Sequence, residues 1–117
     1  MQMSDSATVE FQSAIPNMLV ADVPAASAFY TQKLGFTETM TGDNFAVLTR
    51  GNVTLGLIGS KTAAGKSWCY ITVSNPMALF SEFQSAGVNI LQPLQTWGEH
   101  SEFTITDPEG NRMDIGN

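Results

Sequence analysis

The sequence predicts an α+β domain made of two βαβββ repeats, with curved mixed sheets that carry their helices on the outer faces. Three features support this because each occurs twice: an extended apolar run, an Asp or Asn helix cap with a nearby proline, and an apolar helical face followed by glycine. The second cap, Asn75, follows the first, Asp22, by about 53 positions. A duplicated unit creates a seam between its copies, where a small domain can hold a ligand.

The first repeat is predicted over residues 11–59, after a loose polar leader of about ten residues. A strand is expected from Phe11 to Val20. Asp22 caps the following helix, with Pro24 in the first turn, and Gly35 ends it. Three further strands complete the repeat: Phe36–Met40, Phe45–Arg50 and Val53–Ile58.

The second repeat is predicted over residues 66–117, after a small polar linker at Ser60–Lys66. Asn75 caps its helix, Gly87 ends it, and Asp107–Asn111 forms a turn between the last two strands. The four strands are expected at Trp68–Val73, Val88–Leu91, Glu102–Thr106 and Arg112–Ile115.

Length and composition are consistent with a single domain spanning residues 1–117, with 43% hydrophobic content. No apolar stretch is long enough to cross a bilayer, and the N-terminus lacks a signal-peptide pattern. The single cysteine, Cys69, excludes an internal disulfide and any multi-cysteine metal site. We therefore expect a cytoplasmic protein with no membrane partner.

The charge balance argues against nucleic acid as a partner. Eleven acidic against five basic residues give a net charge of −6, whereas binding to phosphates needs clustered Lys and Arg. An acidic surface keeps a protein soluble, and it can also attract a cationic ligand. Charge alone does not choose between these two roles.

Three stretches of the chain carry a family pattern. They are Ala14-Ile15-Pro16 with Asp22-Val23, Phe29-Tyr30 and Leu34-Gly35-Phe36; Asp43-Asn44-Phe45-Ala46 with Arg50 and Val53-Thr54-Leu55; and Trp97-Gly98 with Glu102-Phe103 and Asp107-Pro108-Glu109-Gly110-Asn111. From about Ala14 to Asn117 the chain resembles the vicinal oxygen chelate superfamily of glyoxalases, extradiol dioxygenases and antibiotic-resistance proteins. Within it, the chain is most similar to the bleomycin-resistance proteins.

The resemblance also implies where a metal would bind. Metal-dependent members have four ligand positions, which fall by pattern at Ile15, near Gly56, within Trp68–Tyr70 and at Asp114. Only Asp114 could bind a metal well, because isoleucine and glycine side chains have no donor atoms. We therefore expect neither a metal site nor another cofactor.

In the bleomycin-resistance family a planar bithiazole group is stacked between a phenylalanine and a tryptophan, in a clamp assembled across a dimer. The matching residues are Phe45 and Trp97, called here the aromatic clamp. Both lie in polar, glycine-containing segments, which suit the rim of a cleft better than a core. Trp68 and Tyr70 alternate along one strand and share a face, so they line the cleft or fill the core.

Four charged or titratable residues lie near the aromatic clamp in sequence. Asp43, Glu99 and Glu102 are the nearest acids for a cationic ligand tail, although each can equally be a solvated charge. His100 is interpreted as an exposed loop residue in preference to a general base. Outside this set, Cys69 lacks a histidine partner in sequence and is interpreted as a small buried hydrophobe.

The sequence therefore predicts a metal-free homodimer that sequesters a planar, cationic small molecule, such as a bleomycin-type drug, without catalysis. Pro16 lies in the first strand, and the resemblance implies that the N-terminal strand is exchanged between subunits there. One alternative is a metal-dependent glyoxalase- or dioxygenase-like enzyme using Asp114, His100 and Glu99 or Glu102. Another is an interaction module that binds a protein partner at the seam.

Overall fold

A computed structural model of the chain describes residues 8–117, and its elements run strand, helix and three strands, twice. The helices are α1 (Val23–Gln32) and α2 (Pro76–Ser85). The strands are β1 (Asn17–Val20), β2 (Thr37–Thr41), β3 (Phe45–Arg50), β4 (Val53–Gly59), β5 (Trp68–Thr72), β6 (Asn89–Trp97), β7 (His100–Thr106) and β8 (Arg112–Gly116). The predicted α+β fold with two βαβββ repeats is confirmed. The part of the chain described here has no helix long and apolar enough to cross a membrane.

Each repeat forms one four-stranded mixed sheet with the same strand order. Sheet A has the order β1-β4-β3-β2, and sheet B has the order β5-β8-β7-β6. The first strand of each repeat is parallel to its neighbour, whereas the other pairs are antiparallel. Helix α1 packs on β3 and β4, and α2 packs on β6 and β7. One face of each sheet is thus covered by a helix, and the other face is left open.

Equivalent caps start the two helices. The Asp22 carboxylate accepts a hydrogen bond from the Ala25 N–H at 3.0 Å, and the Asn75 side-chain oxygen accepts one from the Ala78 N–H at 3.1 Å. A proline occupies the first turn of each helix, where its missing N–H leaves no bond unmade. These short-range interactions explain why both helices begin where the sequence predicts.

Gly35 and Gly87 follow the two helices with φ values of 76° and 78°, which disfavour any residue with a Cβ. Gly87→Ala is expected to cost about 1–2 kcal/mol of folding free energy, because the position is strained although the space around it is open. Gly35→Ala is expected to cost about 0.5–1.5 kcal/mol more, because the Arg50 side chain must move and lose its hydrogen bond to Leu34. The added Cβ would lie 2.9 Å from the Arg50 guanidinium, which donates to the Leu34 carbonyl. Urea unfolding of both variants measures the difference, and equal costs would contradict a role for the Arg50 contact.

The first predicted strand, Phe11–Val20, is wrong over its N-terminal part, because the strand observed begins at Asn17. Asn17 pairs with Gly56 in the parallel ladder between β1 and β4. Pro16 has no N–H to donate, so the ladder does not extend backwards beyond that residue. The preceding residues, 8–16, are exposed and outside any strand, and most of the predicted leader lies outside the described residues.

The second correction concerns the hairpin that carries Trp97 and His100. The sixth strand was expected to end at Leu91, yet β6 runs to Trp97, which pairs with His100 at the start of β7. Gly98, with φ of 60°, permits the two-residue turn between them. The interpretation of His100 as a loop residue is therefore wrong: it is a half-buried strand residue.

The turn Asp107–Asn111 joins the two repeats in addition to reversing the chain. The Asn111 side chain donates to the Leu19 carbonyl at 2.9 Å and accepts from the Ser67 N–H at 2.8 Å. The Glu109 carboxylate accepts from the Ala21 N–H at 2.6 Å. Both side chains therefore reach from the second repeat to the end of β1, and they hold the seam together.

Candidate functional site

The open face of sheet B gathers most of the predicted site residues. Along β5 the odd positions Cys69 and Ile71 pack against the core, so the alternate residues Trp68 and Tyr70 project from the other side. Trp68 is 69% exposed, which shows that it does not fill the core. We use the term "polar face" for the side chains that meet here: Trp68, Tyr70, Glu102, Thr104, Arg112 and Asp114.

Asp114 lies at the centre of the polar face and is only 6% exposed. One of its oxygens, Oδ2, accepts from Trp68 Nε1 at 2.7 Å. The other, Oδ1, accepts from the Thr104 hydroxyl at 2.6 Å and from Arg112 Nε at 3.1 Å. Burial raises the pKa of Asp114, but the three hydrogen bonds and the Arg112 charge outweigh burial, so the pKa is lowered. The carboxylate is therefore ionised at neutral pH.

A second set of contacts leads from Tyr70 to Trp97. The Tyr70 hydroxyl lies 3.3 Å from Glu102 Oε1, and His100 Nε2 lies 3.1 Å from the same oxygen. The imidazole of His100 stacks on Trp97, with ring centroids 5.9 Å apart and planes inclined by 19°. Partial burial, together with the charge and hydrogen bond of Glu102, raises the pKa of Tyr70, which stays a neutral donor. The imidazole of His100, itself hydrogen-bonded to Glu102, therefore covers one face of the Trp97 ring.

The two residues of the aromatic clamp lie in different sheets. Trp97 ends β6, the outermost strand of sheet B, and is 58% exposed. Phe45 begins β3, an inner strand of sheet A, and its ring lies over Gly42, where an added Cβ would collide with it. Trp97 therefore lies at a rim, and Phe45 is half-buried at a strand end. Their joint action as a clamp stays a prediction.

The remaining predicted residues lie apart from the hydrogen-bonded network. Asp43 and Glu99 are exposed, one before β3 and the other in the turn between β6 and β7. Cys69 is half-buried on the core side of β5, and burial followed by the charge of Asp114 raises the pKa of its thiol to about 11. At that pKa the thiol is protonated at neutral pH, as an inert thiol would be.

Sequence reasoning missed two members of the polar face, Thr104 and Arg112. Arg112 lies two residues before Asp114 in the same strand, and this alternation could have placed it on the same face. Thr104 meets Asp114 only through the pairing of β7 with β8. No short-range signal in the sequence reveals that register.

The donor atoms present do not fit the metal centre found in metal-dependent relatives of this fold. Ile15 precedes β1 with an exposed aliphatic side chain, and the Asn17 side chain covers the position beside Gly56. Both oxygens of Asp114 already accept hydrogen bonds, and the Arg112 charge beside them opposes a cation. Within residues 8–117 no three His, Cys, Asp or Glu side chains converge as a ligand set.

A separate cavity of about 580 Å³ lies between the repeats on the helix side of the sheets. Its walls are mainly apolar, with Phe36, Ile71 and Leu79 among them, and the Arg50–Glu82 ion pair of 2.8 Å lies at its edge. None of the predicted site residues lines it. The polar face is therefore the better candidate for function, because it combines exposed aromatic rings with fixed charges.

A model of the Glyoxalase/Bleomycin resistance protein/Dioxygenase superfamily matches residues 13–115. The chain belongs to this superfamily. Bleomycin resistance proteins from Geobacillus stearothermophilus and Staphylococcus aureus are 28% identical to it over 121 residues. The match spans 84% of this chain and 90% of each relative, so it extends over nearly the whole fold.

Solved structures give the same assignment. The bleomycin-binding protein of Streptomyces verticillus, in complex with copper(II)-bleomycin, superposes with a TM-score of 0.82 and 28% identity. The match covers 92% of this chain and 97% of that one. Another bleomycin-binding protein, complexed with bleomycin, gives a TM-score of 0.75, with coverage of 92% and 98%. At 20% identity this second match shows the fold alone. The resemblance stated from the sequence is confirmed.

Proposed function

We propose that this superfamily member is a homodimeric, metal-free protein that binds and sequesters a bleomycin-type molecule without transforming it. The observation that carries the proposal is the pair of exposed tryptophans on sheet B, each held by a specific partner. Trp68 is bound to Asp114 and Trp97 is stacked on His100. Large flat rings that are fixed and open to solvent suit stacking on a planar heterocycle.

The charges near the tryptophans support a ligand that is cationic in part. Glu102 contacts Tyr70 and His100, and no arginine or lysine ion pair with Glu102 is found among the described residues. The whole chain carries a net charge of −6, which attracts cations over a longer range. Bleomycin resistance and bleomycin-binding relatives at 28% identity support the same class of ligand.

The proposed dimer is supported by the placement of Phe45 and Trp97 in different sheets of one chain. We propose that Phe45 of one subunit and Trp97 of the other form each clamp, which gives two clefts per dimer. Residues 8–16 support exchange of the N-terminal segment. Val9 and Phe11 there are 77% and 96% exposed, and a second subunit could bury them. Pro16 marks the point where the segment leaves β1.

The action proposed is stoichiometric binding in the cytoplasm. Because no bond of the ligand is broken, protection requires at least one cleft for each ligand molecule. A dimer with two clefts would bind two ligand molecules.

Isothermal titration calorimetry with copper(II)-bleomycin tests the proposal directly. We expect saturable binding with a dissociation constant in the micromolar range or below and one ligand per chain. The matched control is spermidine at the same salt concentration, which carries positive charge but no aromatic ring and is expected to bind at least about tenfold more weakly. Absence of binding at millimolar copper(II)-bleomycin would overturn the proposed ligand.

A further inference from the structure

We propose that Asp114 is a positioning residue that fixes the Trp68 indole as a separate stacking platform for a flat, uncharged group of the ligand. This inference rests on the proposed function for its ligand. The anchoring of the ring, by contrast, rests on geometry within the chain. Asp114 itself does not need to touch the ligand.

The first step is the restraint on the indole. A tryptophan that is 69% exposed on a strand ordinarily has several side-chain rotamers open to it. Here its N–H donates to the Asp114 carboxylate at 2.7 Å, within the range of a charge-assisted hydrogen bond. The single polar atom of the ring is thereby fixed, and rotation about the side-chain torsions would break this bond.

The second step is the rigidity of the anchor. Asp114 belongs to β8, which is paired on both sides, in parallel with β5 and antiparallel with β7. Its carboxylate is buried and is held by Thr104 and Arg112 as well as by Trp68. Because the sheet fixes the position of this acceptor, its hydrogen bond to Trp68 restricts the motion of the exposed indole ring.

The third step is the difference between the two faces of the indole. The Arg112 guanidinium lies 5.3 Å from the ring centroid and covers one face. A ligand can therefore stack only on the opposite face. Because the guanidinium repels positive charge, an uncharged heteroaromatic group fits this face better than a cationic one.

The position of Trp68 also indicates the size of the ligand. Trp68 lies on β5 and Trp97 on β6, at opposite edges of sheet B with β8 and β7 between them. Three strand spacings separate the two edges by roughly 14 Å, and the register adds roughly 20 Å along the strands, because the row of Trp68 meets β7 at Thr106 while Trp97 pairs with His100. The two tryptophans are therefore roughly 25 Å apart. A ligand that contacts both tryptophans is therefore elongated, with one flat group for the clamp and another for Trp68.

A double-mutant cycle tests whether Asp114 acts through Trp68. Trp68→Ala and Asp114→Ala are each expected to weaken copper(II)-bleomycin binding about tenfold, while the double variant binds no more weakly than either single variant. Asp114→Asn keeps a side-chain oxygen as acceptor and is expected to lose only about threefold. It also serves in the cycle if Asp114→Ala does not fold. Independent losses, about a hundredfold for Asp114→Ala combined with Trp68→Ala, would overturn the positioning role.

A measurement without ligand separates this inference from the proposed function. Trp97→Phe leaves Trp68 as the only tryptophan, because the chain has two. Adding Asp114→Ala is expected to reduce the fluorescence anisotropy and the near-ultraviolet circular dichroism of Trp68, while the fold is retained by far-ultraviolet dichroism. Unchanged signals would overturn the anchor even if bleomycin binds. Lost signals would support it even if the wild-type protein fails to bind bleomycin.

Discussion

Asp107→Ala is expected to lower the free energy of unfolding by about 3–5 kcal/mol, the largest stability loss that we expect from a single side chain. Asp107 is buried at the seam, and its carboxylate accepts four hydrogen bonds. Oδ1 accepts from the N–H groups of Glu109 and Asn111 at 3.0 and 2.9 Å. Oδ2 accepts from the Tyr30 hydroxyl and the Asn111 side-chain amide, both at 2.8 Å.

The cost is high because the substitution leaves buried donors without an acceptor. The Tyr30 hydroxyl is completely buried, and burial together with the Asp107 charge raises the pKa of Tyr30 well above its usual value. Tyr30 therefore remains an un-ionised donor, and the loss of its acceptor incurs its full desolvation cost. A loss of this size is a large part of the total stability of a small domain, which is about 5–15 kcal/mol.

Urea unfolding of Asp107→Ala measures this loss. Tyr30→Phe removes one of the four bonds without stranding a donor, and it is expected to cost about 1–2 kcal/mol. Asp43→Ala, at an exposed acid, is the matched control and should remain within about 0.5 kcal/mol of wild type. A loss below about 1 kcal/mol for Asp107→Ala would show that the seam does not depend on this carboxylate.

Trp97→Ala and Phe45→Ala are each expected to weaken copper(II)-bleomycin binding about 10–100-fold, because each removes one face of the proposed clamp. Trp97 is exposed and backed by His100, so its truncation removes a ligand contact and little core packing. Met77→Ala is the control. It truncates a similarly exposed large side chain on α2, away from the polar face, and binding is expected to stay unchanged.

Mixing the two variants tests whether each clamp spans two subunits. A heterodimer of a Phe45→Ala chain with a Trp97→Ala chain has one cleft with both substitutions and one cleft with neither. We therefore expect subunit exchange to restore tight binding at one site per heterodimer, measured by calorimetry after the mixture is unfolded and refolded. If each clamp formed within one chain, every cleft would lack one ring and no tight site would return.

Much of the fold could be predicted because its signals are local. Asp22 and Asn75 cap their own helices three residues away, and Gly35 and Gly87 end them through backbone angles that other residues avoid. Strand β3 has the predicted bounds, Phe45–Arg50, because it is a short apolar run that ends at the Gly51-Asn52 turn, and both signals lie within eight residues. Such features need no information about distant partners.

The errors occur where pairing decides the structure. The first strand was predicted six residues too long, because its apolar pattern does not show that Pro16 interrupts the ladder with β4. Strand β6 was predicted to end at Leu91, whereas it continues through Pro93, which has no N–H for a ladder, to Trp97. Since β6 is an edge strand with irregular register around residues 90–95, it accommodates the proline.

The sequence by itself determined the duplicated βαβββ plan, the superfamily, and the aromatic and acidic residues from which a site could be built. Only the tertiary structure decided how those residues are used. Trp68 and Asp114 are 46 positions apart, and they meet because β5 pairs in parallel with β8. The Glu109 carboxylate accepts a hydrogen bond from the Ala21 N–H, 88 positions away in sequence. The turn that contains Glu109 therefore also connects the second repeat to the first. Register and sheet packing fix these long-range contacts, and neither is encoded in the short segments from which motifs are read.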